Sequence, residues 1–188
     1  MTKKRNIGRP RKMKPVVLVI CEGETEKEYI TFLRGKYRFP IEIKILGDDI
    51  NNRIVEKVKN AVKLNGKDII RTFLMYDRDV PSINNIVDGI KGELLCSNPC
   101  VELWFILHIT DQLSEISSNS CINLLKMQND TWNKYKKSSF TDKQKTCLWN
   151  NRLQAAERAK KLKHFNNPSS TVYRLIDYLE DFNACGNA

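Results

Sequence analysis

Two acidic clusters stand where short apolar runs end. Glu22, Glu24 and Glu26 follow Val16-Val17-Leu18-Val19-Ile20, and Asp77 and Asp79 follow the stretch from Ile69 to Met75. Cys21-Glu22-Gly23 is compatible with a tight turn that projects a carboxylate over a sheet edge. Asp77 and Asp79, one residue apart, would share a face if the strand continued. Carboxylates brought this close repel one another, and a divalent cation is the usual remedy. Mg²⁺ or Mn²⁺ bound by such oxygens can polarise a phosphoryl group and orient water for in-line attack. The chemistry expected of these residues is therefore phosphodiester hydrolysis.

The remaining candidates are weighed on their surroundings. Glu102 lies in the apolar run Val101 to Ile109, where a buried charge must be paired or metal-bound. His108 is six positions further on, about 120° round a helix, so it does not serve the same point. A core histidine bonded to backbone is its better reading. Cys96, Cys100 and Cys121 lack the spacing of the common zinc knuckles, and free cysteine is ordinarily a small buried apolar residue.

The positioning elements follow from periodicity. A strand is expected at about 16–21. Thr25 with Glu28 reads as a capping box opening a helix that carries Tyr29, Phe32 and Leu33. Ile41, Ile43 and Ile45 alternate as a second strand. Ile54, Val58, Ala61 and Val62 stripe a second helix ended by Asn65-Gly66. A third strand covers about 69–76, a short helix about 83–90, and a further strand about 93–96. Alternation of this kind implies an α/β fold with a mostly parallel sheet flanked by helices. In such a sheet ligands bind outside the carboxyl ends of the strands, which is where both acidic clusters fall.

Asn98-Pro99 is expected to open another helix as its cap and first residue, and Asn167-Pro168 to restart one later. Leu148, Ala155, Ala159 and Leu162 read as the apolar stripe of a single basic helix. The organisation expected is a disordered basic arm over 1–14 and one domain over 15–188. A basic helical C-terminal segment covers about 111–188 of it. The chain has 188 residues with 41% hydrophobic and 29% charged composition, ordinary for one soluble globular domain. No stretch is suited to a bilayer, and the lysine-rich start lacks the apolar core of a signal peptide. A cytoplasmic location without membrane contact is expected.

The net charge of +10 is unevenly placed. Residues 1–14 hold seven Lys or Arg and no acid, and residues 131–163 are net +8. The body between them, residues 15–130, is net −3. Basic flanks around an acidic centre suit a polyanion approached through a cation. Arg9, Arg11 and Lys12 in the arm, and Lys136, Lys137, Arg152 and Lys160 in the second segment, are the expected phosphate contacts. Gly8-Arg9-Pro10-Arg11-Lys12 is similar to the core of an AT-hook, though a non-specific phosphate-binding tail accounts for it better. Trp132, Tyr135, Phe140 and Trp149 either stack unpaired bases or pack inward beneath a helical lid.

The residues also carry a resemblance. Cys21-Glu-Gly-Glu-Thr-Glu26, Asp77-Arg-Asp79, Ser97-Asn-Pro-Cys-Val-Glu-Leu-Trp-Phe-Ile-Leu-His108 and Asn167-Pro-Ser-Ser-Thr-Val172 occur in this order in the RloB-like family. The chain resembles that family over about residues 16–180. The resemblance implies a minimal TOPRIM-like domain, the fold shared by topoisomerases, primases and overcoming-lysogenization-defect nucleases. It implies Glu22, Asp77 and Asp79 as catalytic residues and Glu22, Glu26, Asp77 and Asp79 as ligands of Mg²⁺ or Mn²⁺. Glu102 resembles a further metal-binding acid.

The function implied is a divalent-metal-dependent nuclease of prokaryotic antiphage defence, acting on DNA or RNA. The alternative is a non-cleaving, nucleic-acid-binding TOPRIM module that regulates a defence-locus ATPase, as in abortive-infection pairs. The chain is too short for the extra domains of a topoisomerase or complete primase. A nucleotide-binding α/β domain is disfavoured by the lack of a Gly-x-Gly-x-x-Gly or P-loop match.

The arm gives a first expectation. Removal of residues 1–14 should weaken nucleic-acid binding and flatten its dependence on salt, because fewer phosphates are neutralised. The fold should survive, because the arm carries no apolar stripe. Binding titrations at several salt concentrations check this, and an unchanged salt slope would remove the arm from the binding surface.

Overall fold

Alternation along the first strand decides the layering. The computed structural model describes residues 14–186. Strand β1 (Lys14–Cys21) sends Val17, Val19 and Cys21 into one core and Val16, Leu18 and Ile20 into another. All six side chains are buried. A strand apolar on both faces belongs in the middle of a covered parallel sheet. Here β1 pairs in parallel with β2 (Ile41–Ile45) on one side and β3 (Lys67–Met75) on the other. The short β4 (Glu93–Leu94) pairs with Phe73 and Leu74 of β3, giving the order β2-β1-β3-β4, all parallel.

Helix α1 (Glu24–Tyr37) covers one face through Tyr29, Ile30, Phe32, Leu33 and Tyr37. Helices α2 (Asn52–Leu64) and α3 (Pro81–Asp88) cover the other, through Val55, Val62 and Val87. Val58 and Val62 of the expected α2 stripe face the core, but Val55 is buried and Ala61 exposed. The helix begins at the Asn51 cap, whose side-chain oxygen accepts the Ile54 N–H at 3.0 Å. The helix ends as foreseen: Asn65 is its cap, and Gly66 follows at φ +75°, which a side chain would resist.

The second half of the chain thickens the α1 face. Helix α4 (Val101–Leu107) is buried at every position. Helices α5 (Ser118–Met127), α6 (Asp142–Asn150), α7 (Arg152–Lys160) and α8 (Tyr173–Gly186) surround it. A two-stranded antiparallel ladder of β5 (Ser97–Asn98) and β6 (Ser169–Ser170) joins this layer to the sheet edge. Among the described residues no helix is long and apolar enough to cross a membrane.

Five expectations about elements need correction. The cap of α1 is Gly23, with Glu26 and not Glu28 reaching back to the cap N–H. Helix α4 starts after Cys100, because Asn98 is drawn into β5 and its amide donates to the Phe165 carbonyl. Asn167-Pro168 leads into β6, and the helix resumes only at Tyr173, because the Asn167 amide bonds both backbone groups of Ile116. The expected basic helix is two helices broken at Asn151. Its stripe survives the break, with Leu148, Ala155 and Ala159 all buried. The stretch between α5 and α6 is also irregular, not helical.

An aromatic cluster fixes that irregular stretch. Trp132, Tyr135 and Phe140 are buried, and their rings lie 6.2, 6.2 and 5.2 Å from the ring of Phe105 on α4. Tyr29 of α1 is on another side at 5.6 Å. Phe105→Ala should therefore cost about 3–5 kcal/mol. Denaturant unfolding monitored by tryptophan fluorescence measures it. A cost near zero would mean that the stretch is held by something other than this cluster.

Candidate metal centre

The connections on either side of β1 and β3 diverge. From β1 the chain crosses by α1 to β2, and from β3 it crosses by α3 on the opposite face to β4. A crevice must open between the carboxyl ends of β1 and β3, which is the standard ligand position in such sheets. Glu22 is the first residue past β1, and Asp77 follows β3 by one residue. They are tied across the crevice. The Glu22 N–H donates to the Met75 carbonyl at 3.0 Å. The Asp77 N–H donates to the Glu22 carboxylate at 2.7 Å. Asp77 also bridges to Ser97 in parallel register, and the Arg78 N–H donates to the Ser97 carbonyl at 2.9 Å.

Three further acids border these two. Glu26 is buried, and its Oε2 accepts the Gly23 N–H at 3.0 Å. A Cβ at position 23 would lie 3.2 Å from that oxygen, so glycine there leaves room for the carboxylate. Glu102 is 0% exposed. Its Oε1 accepts the Tyr135 hydroxyl at 3.0 Å and lies 3.9 Å from the Lys137 ammonium, while its Oε2 has no partner. Asp79 is exposed and accepts a 3.3 Å hydrogen bond from the Ser118 hydroxyl.

The electrostatics show that these acids act on one another. Burial pushes Glu22 up to about 7, against the pull of the Asp77 N–H, and the charges of Glu26, Asp79 and Asp48 add to the rise. Burial also raises Glu26, with Glu102 adding and the Gly23 N–H and Lys137 opposing. Asp77 is raised well above the usual carboxylate range, first by burial and then by Glu26, Glu22, Glu102 and Asp79. Asp48 is the participant missed in the sequence. It sits in the turn Gly47–Asp49 just past β2, at the same end of the sheet. Leu46-Gly-Asp48-Asp49 after an alternating strand was the signal available for it.

Among the described residues no three His, Cys, Asp or Glu side chains converge closely enough to enclose an ion. The acids flank the crevice, and Glu22 and Glu26 are each anchored to a backbone N–H. The donor chemistry nevertheless suits a hard divalent cation. Every candidate donor is a carboxylate oxygen, Asp77 is raised by burial and by the acids around it, and Glu102 buries an oxygen that nothing satisfies. Mg²⁺ in particular is commonly held by only one or two carboxylates, with water and phosphate completing its shell.

The basic candidates divide. Arg9, Arg11 and Lys12 lie outside the described residues. Lys136 and Lys137 are exposed on a turn closed by the Lys136–Ser139 bridge. The Ser138 N–H donates to the Thr25 hydroxyl at 3.0 Å, which carries this turn to the acids. Arg152 is engaged inside the protein. Its Nε donates to Glu180 at 2.7 Å and to Tyr37 at 3.1 Å, and its guanidinium lies 3.9 Å from the Trp149 ring centre. Lys160 pairs with Glu157 and Asp177, both at 3.1 Å.

His108 is buried, with Nδ1 2.8 Å from the Trp104 carbonyl, and burial pushes it down to about 4. Cys96, Cys100 and Cys121 are buried free thiols.

A family model described as RloB-like protein matches residues 17–179. No curated protein and no solved structure matches the chain.

The raised Glu22 predicts a stability signature. Folded, it holds its proton to about pH 7; unfolded, it loses it near 4.5. Between those values the folded state binds more protons, so this contribution is full below about 4.5 and is lost as pH rises through about 7. In metal-free buffer Glu22→Gln should melt above wild type at about pH 8, and the gap should close by about pH 5. Millimolar Mn²⁺ should raise the wild-type melting temperature at the higher pH, and Asp77→Ala should remove most of that rise. Melting curves indifferent to Mn²⁺ would reject a metal centre here.

Proposed function

The chain belongs to the RloB-like family, and from that premise we propose that it is a Mg²⁺- or Mn²⁺-dependent nuclease of TOPRIM type. The observation that carries the reading is the coupling of Glu22 to the Asp77 backbone across the crevice, where burial and neighbouring acids raise both carboxyls. A phosphodiester is the substrate class that needs such a site, and the net charge of +10 supplies the attraction that the acids by themselves would oppose. The defence setting, and a partner ATPase, rest on the family resemblance.

In this reading Glu22, Glu26, Asp77 and Asp79 would hold the ion, with Glu102 available for a second. The chemistry supplied there is Lewis-acid polarisation of a phosphoryl oxygen. The protein's own groups do the rest. Glu22, held at the crevice by the Asp77 N–H, would serve either as a ligand or as the general acid and base. Gly23 fixes the Glu26 carboxylate through its N–H. Tyr135 holds one oxygen of Glu102, leaving the other unengaged. Lys137 is a cation beside these acids, placed to meet a phosphate oxygen that approaches them.

A second reading keeps the site and removes the reaction: a binding module that recognises nucleic acid and regulates an ATPase. The observation favouring it is that no three acids of the described residues enclose an ion. Purified protein incubated with Mn²⁺ and plasmid, single-stranded DNA or bulk tRNA separates the two. Cleavage that requires the metal and falls by roughly two orders of magnitude or more in Glu22→Gln, with the fold intact, is the result expected of the nuclease. Near-wild-type cleavage by Glu22→Gln would take Glu22 out of the mechanism. No cleavage of any substrate by wild type would favour the binding module.

A further inference from the structure

Phe165 stands out as a strained aromatic residue beside Arg78, the residue between Asp77 and Asp79. Its φ is +64°, in the left-handed region that side chains other than glycine or asparagine rarely adopt. Such strain persists only where the surroundings impose it, and it concentrates at functional positions. The surroundings here are residues that adjoin the site in sequence. The Asn98 side-chain amide donates to the Phe165 carbonyl at 2.8 Å, and Asn98 follows Ser97, the residue bridged to Asp77. The guanidinium of Arg78, between the two aspartates of the motif, lies 4.5 Å from the Phe165 ring centre. Arg78 is itself held by Asp88 at 2.7 Å.

Phe165 is nevertheless 37% exposed. The other aromatic residue among the exposed apolar residues described, Phe182, packs edge-on against Phe39 at 4.5 Å. The ring neighbours of Phe165 are Arg78 and His164, and His164 Nε2 lies 3.0 Å from the Tyr173 hydroxyl. Lys161 and Lys163, both exposed, precede it on the same turn. An exposed ring braced by a guanidinium, flanked by lysines and tied to phosphate-directed acids, has the composition of a base-stacking platform.

We propose that Phe165, braced by Arg78 of the Asp77–Asp79 motif, stacks an unpaired base of the substrate, so that the protein acts on single-stranded nucleic acid. The inference rests on the nucleic-acid reading above and adds the strandedness of the substrate. A paired base presents no free face to the ring, whereas any unpaired base does, in DNA or RNA alike. Arg78 acts as a positioning residue: it orients the ring and at the same time belongs to the segment that carries Asp77 and Asp79.

The test is binding by the full chain in Ca²⁺ buffer to labelled single-stranded DNA, single-stranded RNA and a blunt duplex. Wild type should prefer both single strands. Phe165→Ala should weaken single-strand binding roughly tenfold or more and leave duplex binding little changed. Phe165→Trp should keep the affinity and show added fluorescence quenching on binding. Phe165→Gly relieves the backbone strain, so it should lose single-strand affinity while keeping the wild-type melting temperature. That separates the ring's role in binding from a role in folding.

Wild-type single-strand affinity in Phe165→Ala, or no quenching in Phe165→Trp, would overturn the proposal. A duplex preference in wild type would do the same. Cleavage can fail with this pattern intact, which sinks the nuclease reading alone. Failure of wild type to bind any of the three probes sinks both.

Discussion

Like charges held together away from water are costly, and most of the second half of this chain serves to hold them. Glu22 and Asp77, just past β1 and β3, and Glu26 and Glu102, on α1 and α4, flank one end of the sheet. Burial and then neighbouring charge hinder the ionisation of Glu22, Glu26 and Asp77, so this arrangement does not form through the attraction of its members. It is imposed by packing elsewhere. The apolar faces of β1 and β3 must be covered on both sides, and that requirement leaves the first residues after each strand at the crevice.

The anchoring bonds make the imposition specific. A backbone N–H directed at a carboxylate gives the charged form partial compensation without neutralising it. Glu22 takes this from Asp77 and Glu26 from Gly23. The acids are thereby oriented but kept available, with Glu102 the extreme case because one oxygen is unsatisfied. Orphaned buried oxygens are rare enough that each calls for a reason. A hard cation or a substrate's proton would provide one.

The helical layer has a second role beyond burial. Its irregular stretch is pinned by rings around Phe105, and this brings the Lys137 turn against Thr25 and Glu102. The β5–β6 ladder carries Ser97 to Asp77 and leaves Phe165 beside Arg78. Thus residues far apart in sequence supply the basic and aromatic groups that the sheet's own loops lack. The most basic segment contributes less directly than its charge suggests, since Arg152 and Lys160 are spent on ion pairs within the fold.

The sequence by itself determined the layered α/β plan, because period-two and helical apolar patterns report burial directly, and β1 through β4 fall where those patterns lie. It also placed Glu22, Asp77 and Asp79 at the carboxyl ends of parallel strands, one edge of the sheet, while Glu26 entered only through the family resemblance. Only the tertiary structure decided what depends on contacts distant in sequence. Glu26 rather than Glu28 turns back to the helix cap because Gly23, lacking a Cβ, admits it. Asn98 and Asn167 leave their capping roles because partners at Phe165 and Ile116 compete for their amides. Trp132, Tyr135 and Phe140 turn inward because Phe105, about thirty residues away, offers them a core. Local pattern cannot reveal such competition, because the winning partner is brought near only by the fold itself.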